Sequence, residues 1–233
     1  MVFVKNRPDA VVFFDIDGTL IRRIGLAHRH ALIHAVRRVT GLETGVDGIP
    51  LHGMLDTEIL SAMLANAGAG RTLIRRSLPL IQTHAQRYFA RHCPNLERKV
   101  CPGVRPLLNR LARAGVPMGL VTGNFTRIGW KKVERAGLKH YFRLAACAEM
   151  GPNRAALVRL AVREARARGW AGKRTRFTLV GDTPRDVEAA RANGVRAVAV
   201  ATGLCSLEEL RSCSPDVLVE DLRQLPFQAL IEE

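Results

Sequence analysis

Apolar residues run unbroken from Ala10 to Phe14 and resume at Ile16. A continuous run of this length predicts a strand covered on both faces, here over Ala10 to Ile16. From about Ile21 to Cys93 no strand pattern follows, and the apolar positions fall at helical spacing instead. "LAHRHALIHAVRRV" puts Leu26, Ala31, Ile33, Ala35, Val36 and Val39 near one stripe. "DTEILSAMLANAG" reads as a second helix, with Asp56 as N-cap and Gly68 as stop. "RTLIRRSLPLIQTHAQRYFARH" reads as a third, kinked or restarted near Pro79. After "CPG" at Cys101–Gly103 the pattern alternates. Helical "VRPLLNRLARAG" precedes strand-like "VPMGLVTGN", "RIGWKKVERAG" precedes "FRLAACAEM", and "RAALVRLAVREARARG" precedes "RFTLVGD". "DVEAARANG" then precedes "VRAVAVATG", and "DVLVED" follows. Alternation of this kind predicts an α/β fold with a doubly wound parallel sheet.

The layout is therefore one strand, an all-helical insertion, and then the rest of the sheet. The expected domains are a core of residues 1–20 and 97–233 and a helical cap of residues 21–96. The insertion enters just after a pair of carboxylates, where it can close over whatever they bind. No apolar run approaches the roughly 18–20 residues of a membrane span. "MVFVKNRPDAVVFF" lacks a signal peptide's layout, so a soluble, cytoplasmic protein is expected. The five cysteines, Cys93, Cys101, Cys147, Cys205 and Cys213, are odd in number and show no CxxC spacing. They read as reduced, mostly buried thiols, not as disulfides or a zinc site. A formal charge of +15 invites nucleic acid, but the 30 arginines among the 36 basic residues are dispersed along the chain. Dispersed charge offers no defined footprint, which argues against nucleic-acid binding.

In open α/β sheets ligands bind at the carboxyl ends of the strands. Three of the expected strands end in chemistry-bearing residues: Asp15 and Asp17, then Thr122-Gly123-Asn124, then Gly181-Asp182. Asp186 follows in the first turn of the next helix. Residues i and i+2 of extended backbone point to one side, so Asp15 and Asp17 are expected to converge. Adding Asp182 brings three carboxylates together, which is unfavourable unless a cation shares them. A hard ion such as Mg²⁺, which takes carboxylate oxygens together with water and a phosphate, resolves the conflict.

"DIDGTL", "VTGN" and "GDTPRD", in this order and spacing, resemble the haloacid dehalogenase superfamily of phosphohydrolases. The helical insertion resembles that family's C1 cap. "VGDTPRDVEAARANGVRAVAVATG" is similar to the phosphoglycolate-phosphatase-like subgroup. The resemblance implies a HAD-like Rossmannoid core and a role for each motif residue. Asp15 would be the nucleophile that forms an aspartyl-phosphate, and Asp17 the general acid and base. Mg²⁺ would be held by Asp15, the Asp17 backbone carbonyl and Asp182, with Asp186 supporting from behind. Thr122, Gly123 and Asn124 would hold the transferring phosphoryl group. The family also places a cation, usually Lys, ahead of the last motif. "GPNRAALV" stands there, and Arg154 is the candidate, with Arg159 and Lys173 as rivals.

The other candidates are read conservatively. His28, His30, His34, His52, His84 and His92 all fall in the insertion, and packing or surface roles are expected of them. "LHGMLDTEIL" resembles a cap segment with substrate-facing or hinge residues, which leaves roles open for His52 and Asp56. Trp130 and Trp170 read as packing residues. A phosphonatase would need a cap lysine, and no Lys stands between Lys5 and Lys99. A dehalogenase has no need of Asp17, and a non-enzymatic binding relative would be expected to lose one of the acids. The expectation is a Mg²⁺-dependent phosphomonoesterase acting on a small phosphorylated metabolite, with a nucleotidase, a dehalogenase or a non-enzymatic binding protein as alternatives. Neither the substrate nor the oligomeric state is legible.

Overall fold

The computed structural model describes residues 9–22 and 26–231. The expectation about the N-terminal leader falls mainly on residues 1–8, outside the described residues. Six parallel strands form one sheet in the order β3-β2-β1-β4-β5-β6. They are β1 (Ala10–Phe14), β2 (Met118–Val121), β3 (Leu144–Ala146), β4 (Arg176–Gly181), β5 (Arg196–Val200) and β6 (Val217–Val219). The chain starts in the middle of the sheet and winds out in both directions, so β1 is the strand with the least contact with water. All five of its residues are buried, as its unbroken apolar run requires. Its register places Val12 between Met118 of β2 and Thr178 of β4. Phe13 stacks on Phe177 at 5.9 Å between centroids, and Phe14 meets Phe142 edge-on at 6.1 Å. The first pair ties β1 to β4, and the second ties β1 to the segment that leads into β3.

Helices cross between the strands: α4 (Val104–Arg113), α5 (Thr126–Arg135), α6 (Arg154–Ala167), α7 (Pro184–Arg191) and α8 (Leu207–Ser212), with α9 (Gln228–Ile231) at the end. α6 packs on β2 and β3, and α7 on β4 and β5. The insertion contributes α1 (Leu26–Thr40), α2 (Asp56–Asn66) and α3 (Arg71–His92). α1 buries Ala31, Leu32, Ala35 and Val36, and α3 buries Ile81, Ala85 and Phe89. Each set recurs at helical spacing, and the two helices pack together. The expected break near Pro79 is absent. α3 continues through it for 22 residues. Pro79 and Arg75, whose carbonyl loses its helical partner, both lie on the exposed face, where water can replace that bond.

Two backbone junctions hold the helical insertion to the sheet. Ile21 pairs with Val100 as an antiparallel bridge, flanked by Arg22 N–H to Lys99 O at 2.7 Å and Cys101 N–H to Leu20 O at 3.0 Å. The second junction is Asp56 N–H to Gly123 O at 2.7 Å, directly over the end of β2. Gly123 is required there because a Cβ would come within 2.4 Å of the Met54 carbonyl oxygen. Gly123→Ala should push the insertion off the sheet. We expect a loss of about 1–3 kcal/mol in stability and a fall in turnover of roughly 10²-fold. Denaturant melts and steady-state kinetics check both.

Candidate active site

Asp15, Thr122 and Asp182 stand at the carboxyl ends of β1, β2 and β4, and all three are buried. Asp15 N–H still bonds Val180 O at 2.9 Å, but the chain then leaves the sheet. Leu20 N–H and Ile21 N–H both close on Ile16 O, which makes a tight loop after Asp15. Gly18 sits in this loop at φ 92°, and a Cβ there would overlap the Asp182 carboxylate. Only glycine allows both the turn and that approach.

Asp15 and Asp17 both line one cavity, and each has its own cation. Asp15 Oδ1 accepts from Arg154 Nη1 at 3.2 Å. The Asp17 carboxylate accepts from Lys132 Nζ at 2.6 and 2.7 Å and from Asn124 Nδ2 at 2.7 Å.

Asp15, Asp182 and Asp186 can each offer a carboxylate oxygen, with those oxygens within 4.8 Å of one another. One guanidinium answers these three acids. Arg154, buried at the start of α6, meets Asp15 Oδ1 and stands 2.8 Å from Asp186 Oδ1. The helix is begun by Asn153, whose side chain accepts from Ala156 N–H, so Arg154 enters the site from a capped first turn. The imbalance shows in the proton affinities. Burial, countered by Arg154 and reinforced by Asp186 and Asp17, pushes the Asp15 carboxyl up from 3.8 to about 6. Burial, reinforced by Asp15 and Asp186, holds Asp182 well above its usual range, against the opposing pull of Arg154 and a bond from Thr19 Oγ1 at 3.2 Å. Burial opposes charge on Arg154 too, but Asp186 and Asp15 outweigh it and keep the guanidinium protonated.

The donors suit a hard cation. All three are carboxylates, and Asp186 Oδ2 accepts from Thr183 N–H and Oγ1 while its Oδ1 shares Arg154 with Asp15. Three buried carboxylates against one guanidinium, two of them with raised pKa, are what a divalent ion would balance.

Thr122 is fully buried, and its hydroxyl accepts from Asn124 Nδ2 at 2.7 Å. A cavity of about 230 Å³ opens over these groups, roofed by the insertion through His28, Arg29, Leu51, His52, Met54 and Ile59. Asp56 is not the N-cap expected of it. Leu55 occupies that position, and Asp56 Oδ2 instead accepts Phe125 N–H at 2.8 Å and meets His28 Nε2 at 3.2 Å. His52 lines the cavity wall. Arg159 and Lys173 do not line the cavity, whereas Arg154 does. Lys132 was missed altogether, and His28 was read as a packing residue. The signal for Lys132 was present: it shares the buried face of α5 with Ile128, Gly129 and Val133, where an apolar residue belongs. His34 fills a packing role, stacked on Tyr88 at 4.3 Å.

The haloacid dehalogenase-like hydrolase family model matches residues 10–194. The chain belongs to this family. The match starts at β1 and takes in the helical insertion and all three strand-end motifs. The phosphoglycolate phosphatase of Synechococcus elongatus is 30% identical over 230 residues, covering 94% of this chain and 98% of that one. A Mycobacterium tuberculosis protein named tyrosine-protein kinase PtkA is 27% identical, over 92% of this chain and 71% of its own. Among solved structures, CbbY from Rhodobacter sphaeroides in complex with xylulose-(1,5)bisphosphate superposes with a TM-score of 0.73 at 17% identity, covering 97% of this chain and 100% of that one. That likeness shows the shared fold. Members of this family typically use a divalent metal, and the acidic cluster could bind one. Among the described residues no helix is long and apolar enough to cross a membrane.

Proposed function

We propose that the protein is a Mg²⁺-dependent phosphomonoester hydrolase of phosphoglycolate-phosphatase type, acting on a small phosphorylated metabolite through an aspartyl-phosphate on Asp15. The observation that carries this reading is the setting of Asp15. It lies at the end of the central strand, beside a guanidinium and two further carboxylates. The curated relatives named phosphoglycolate phosphatase support the substrate class.

Asp15, Asp182 and Asp186, with the Asp17 backbone carbonyl, are the groups that would hold the ion. When bound, Mg²⁺ would neutralise the carboxylates and draw charge from the transferring phosphoryl oxygens. Asp15 is then ionised at neutral pH and attacks phosphorus in line. Arg154 keeps the nucleophile oriented, and its guanidinium is within reach of phosphoryl oxygens as they gain charge. Thr122, whose hydroxyl accepts from Asn124, keeps its own proton to donate to a phosphoryl oxygen. The backbone amide of Gly123 and the Asn124 side chain, which holds the Thr122 hydroxyl in place, would complete that cradle. Asp17 handles the leaving-group proton and then activates water against the aspartyl-phosphate. The small roofed cavity favours a metabolite over a macromolecular substrate.

A phosphate-metabolite panel with Mg²⁺, and a parallel EDTA series, tests this reading. Release of phosphate from at least one small ester, abolished by EDTA and restored by Mg²⁺, is expected. Silence across the panel would end it. The raised Asp15 carboxyl adds a pH signature. A carboxyl whose folded pKa lies above its unfolded value of 3.8 costs stability once ionised, so this cost grows as pH climbs to about 6 and stays above it. Mg²⁺ binds the ionised form, so it competes with protons. The rise in melting temperature on adding Mg²⁺ should therefore be small near the unfolded pKa of 3.8 and large above about 6. Calorimetry with and without EDTA reads it, and a pH-independent rise would place the ion elsewhere.

A further inference from the structure

Lys132 carries a charge where the fold expects an apolar side chain. It lies on the buried face of α5, with no exposed surface. An ammonium has three N–H donors, and three residues receive them. They are the Asp17 carboxylate at 2.6 and 2.7 Å, Asn124 Oδ1 at 2.6 Å, and His28 Nδ1 at 3.2 Å. Asn124 turns its amide nitrogen to Asp17 Oδ2, so two neighbours grip the same carboxylate. Burial alone would raise the Asp17 carboxyl, but Lys132 and these hydrogen bonds bring it below its usual range.

His28 belongs to α1 of the insertion, whereas Lys132 belongs to the core. Lys132 has no lone pair to offer, so His28 Nδ1 must accept and Nε2 must carry the proton. Nε2 then donates to Asp56 Oδ2, which also receives Phe125 N–H at the start of α5. The path leaves the core at Lys132, crosses two helices of the insertion, and returns to the core at Phe125, about two turns before it began. Phe89 of α3 closes the side of this path, its ring centroid 5.6 Å from that of His28 and 5.9 Å from Lys132 Nζ.

We propose that Lys132 is the positioning residue for Asp17, and that His28 docks on Lys132 so that the insertion, when seated, holds Asp17 in one orientation. The proposal rests on the reading of Asp17 as the group that handles the leaving-group proton. An acid that is misplaced slows esters with poor leaving groups and spares those with good ones. The comparison uses kcat/KM, which reads phosphoryl transfer to Asp15 and not the later hydrolysis.

The experiment measures kcat/KM of wild type, Lys132→Met, Lys132→Arg and His28→Leu on glycerol phosphate and on p-nitrophenyl phosphate with Mg²⁺. Lys132→Met should lose roughly 10²-fold or more on the alkyl ester and clearly less on the aryl ester. Lys132→Arg should recover part of that loss, and His28→Leu should show the same bias at smaller amplitude. Equal losses on both esters, or none, would overturn the proposal. His28→Leu decides the matter if Lys132→Met fails to fold. A wild-type protein inert toward both esters and across the whole phosphate-metabolite panel would remove the phosphatase reading instead. The crystal structure of His28→Leu then decides the positioning claim, by whether the Asp17 carboxylate has left Lys132 or stayed on it.

Discussion

Asp15→Asn will leave a folded protein with turnover reduced on the order of 10⁴-fold or more, the scale of losing a covalent nucleophile. The amide is isosteric and still accepts from Arg154, so the cavity keeps its shape. Its nitrogen is already acylated and does not attack phosphorus. The same variant should be at least as stable as wild type in the absence of divalent ions at neutral pH. Asp15 is pushed up from 3.8 to about 6 by burial among acids, so its ionised form costs the wild-type fold stability above about pH 6. Asparagine carries no such cost, and the advantage should fade as pH falls toward the unfolded value. Phosphate release under single-turnover conditions and calorimetry across pH measure the two effects. Full activity in Asp15→Asn would remove the aspartyl-phosphate mechanism.

Arg154→Met should have the largest effect on stability. Arg154 is the cation facing Asp15 and Asp186, and its removal leaves buried acids without a counter-charge. Breaking a buried ion pair from one side costs about 3–5 kcal/mol. For a chain of this size that is a fall in melting temperature of roughly 10 °C. The deficit should shrink in acid, where the carboxyls take up protons, and shrink again with Mg²⁺, which replaces the missing positive charge. Turnover should drop by about 10²–10³-fold even with Mg²⁺ saturating. Arg154→Lys should keep most of the stability, because one nitrogen meets both Asp15 and Asp186, but less of the rate, because an ammonium lacks the guanidinium's further planar donors for phosphoryl oxygens. An Arg154→Met protein as stable as wild type in EDTA at neutral pH would show that the acids are balanced by something else.

The fold was legible because each element carries its own signal. β1 reads as buried from five consecutive apolar residues. The helices of the insertion read from apolar positions three and four apart, and the strand–helix alternation after Gly103 leads to a parallel sheet almost by necessity. Local errors arose where solvent or geometry intervened. Pro79 does not break α3, since the carbonyl it deprives faces water. Asp56 is not a cap, since its carboxylate is taken by a backbone N–H from another part of the chain.

The positions of Asp15, Thr122 and Asp182 followed from strand ends, a local property, and Arg154 from the family resemblance, which calls for a cation before the last motif. Sequence alone therefore determined the sheet, the helical insertion and the acids of the candidate site. Tertiary structure decided how the charges are shared. It gave Asp17 to Lys132, set Arg154 against Asp15 and Asp186, and brought Lys132 and His28 together from positions 104 residues apart. A charge is balanced by whatever lies within a few ångströms of it, and that distance is set by packing between elements, which periodicity along one chain does not record.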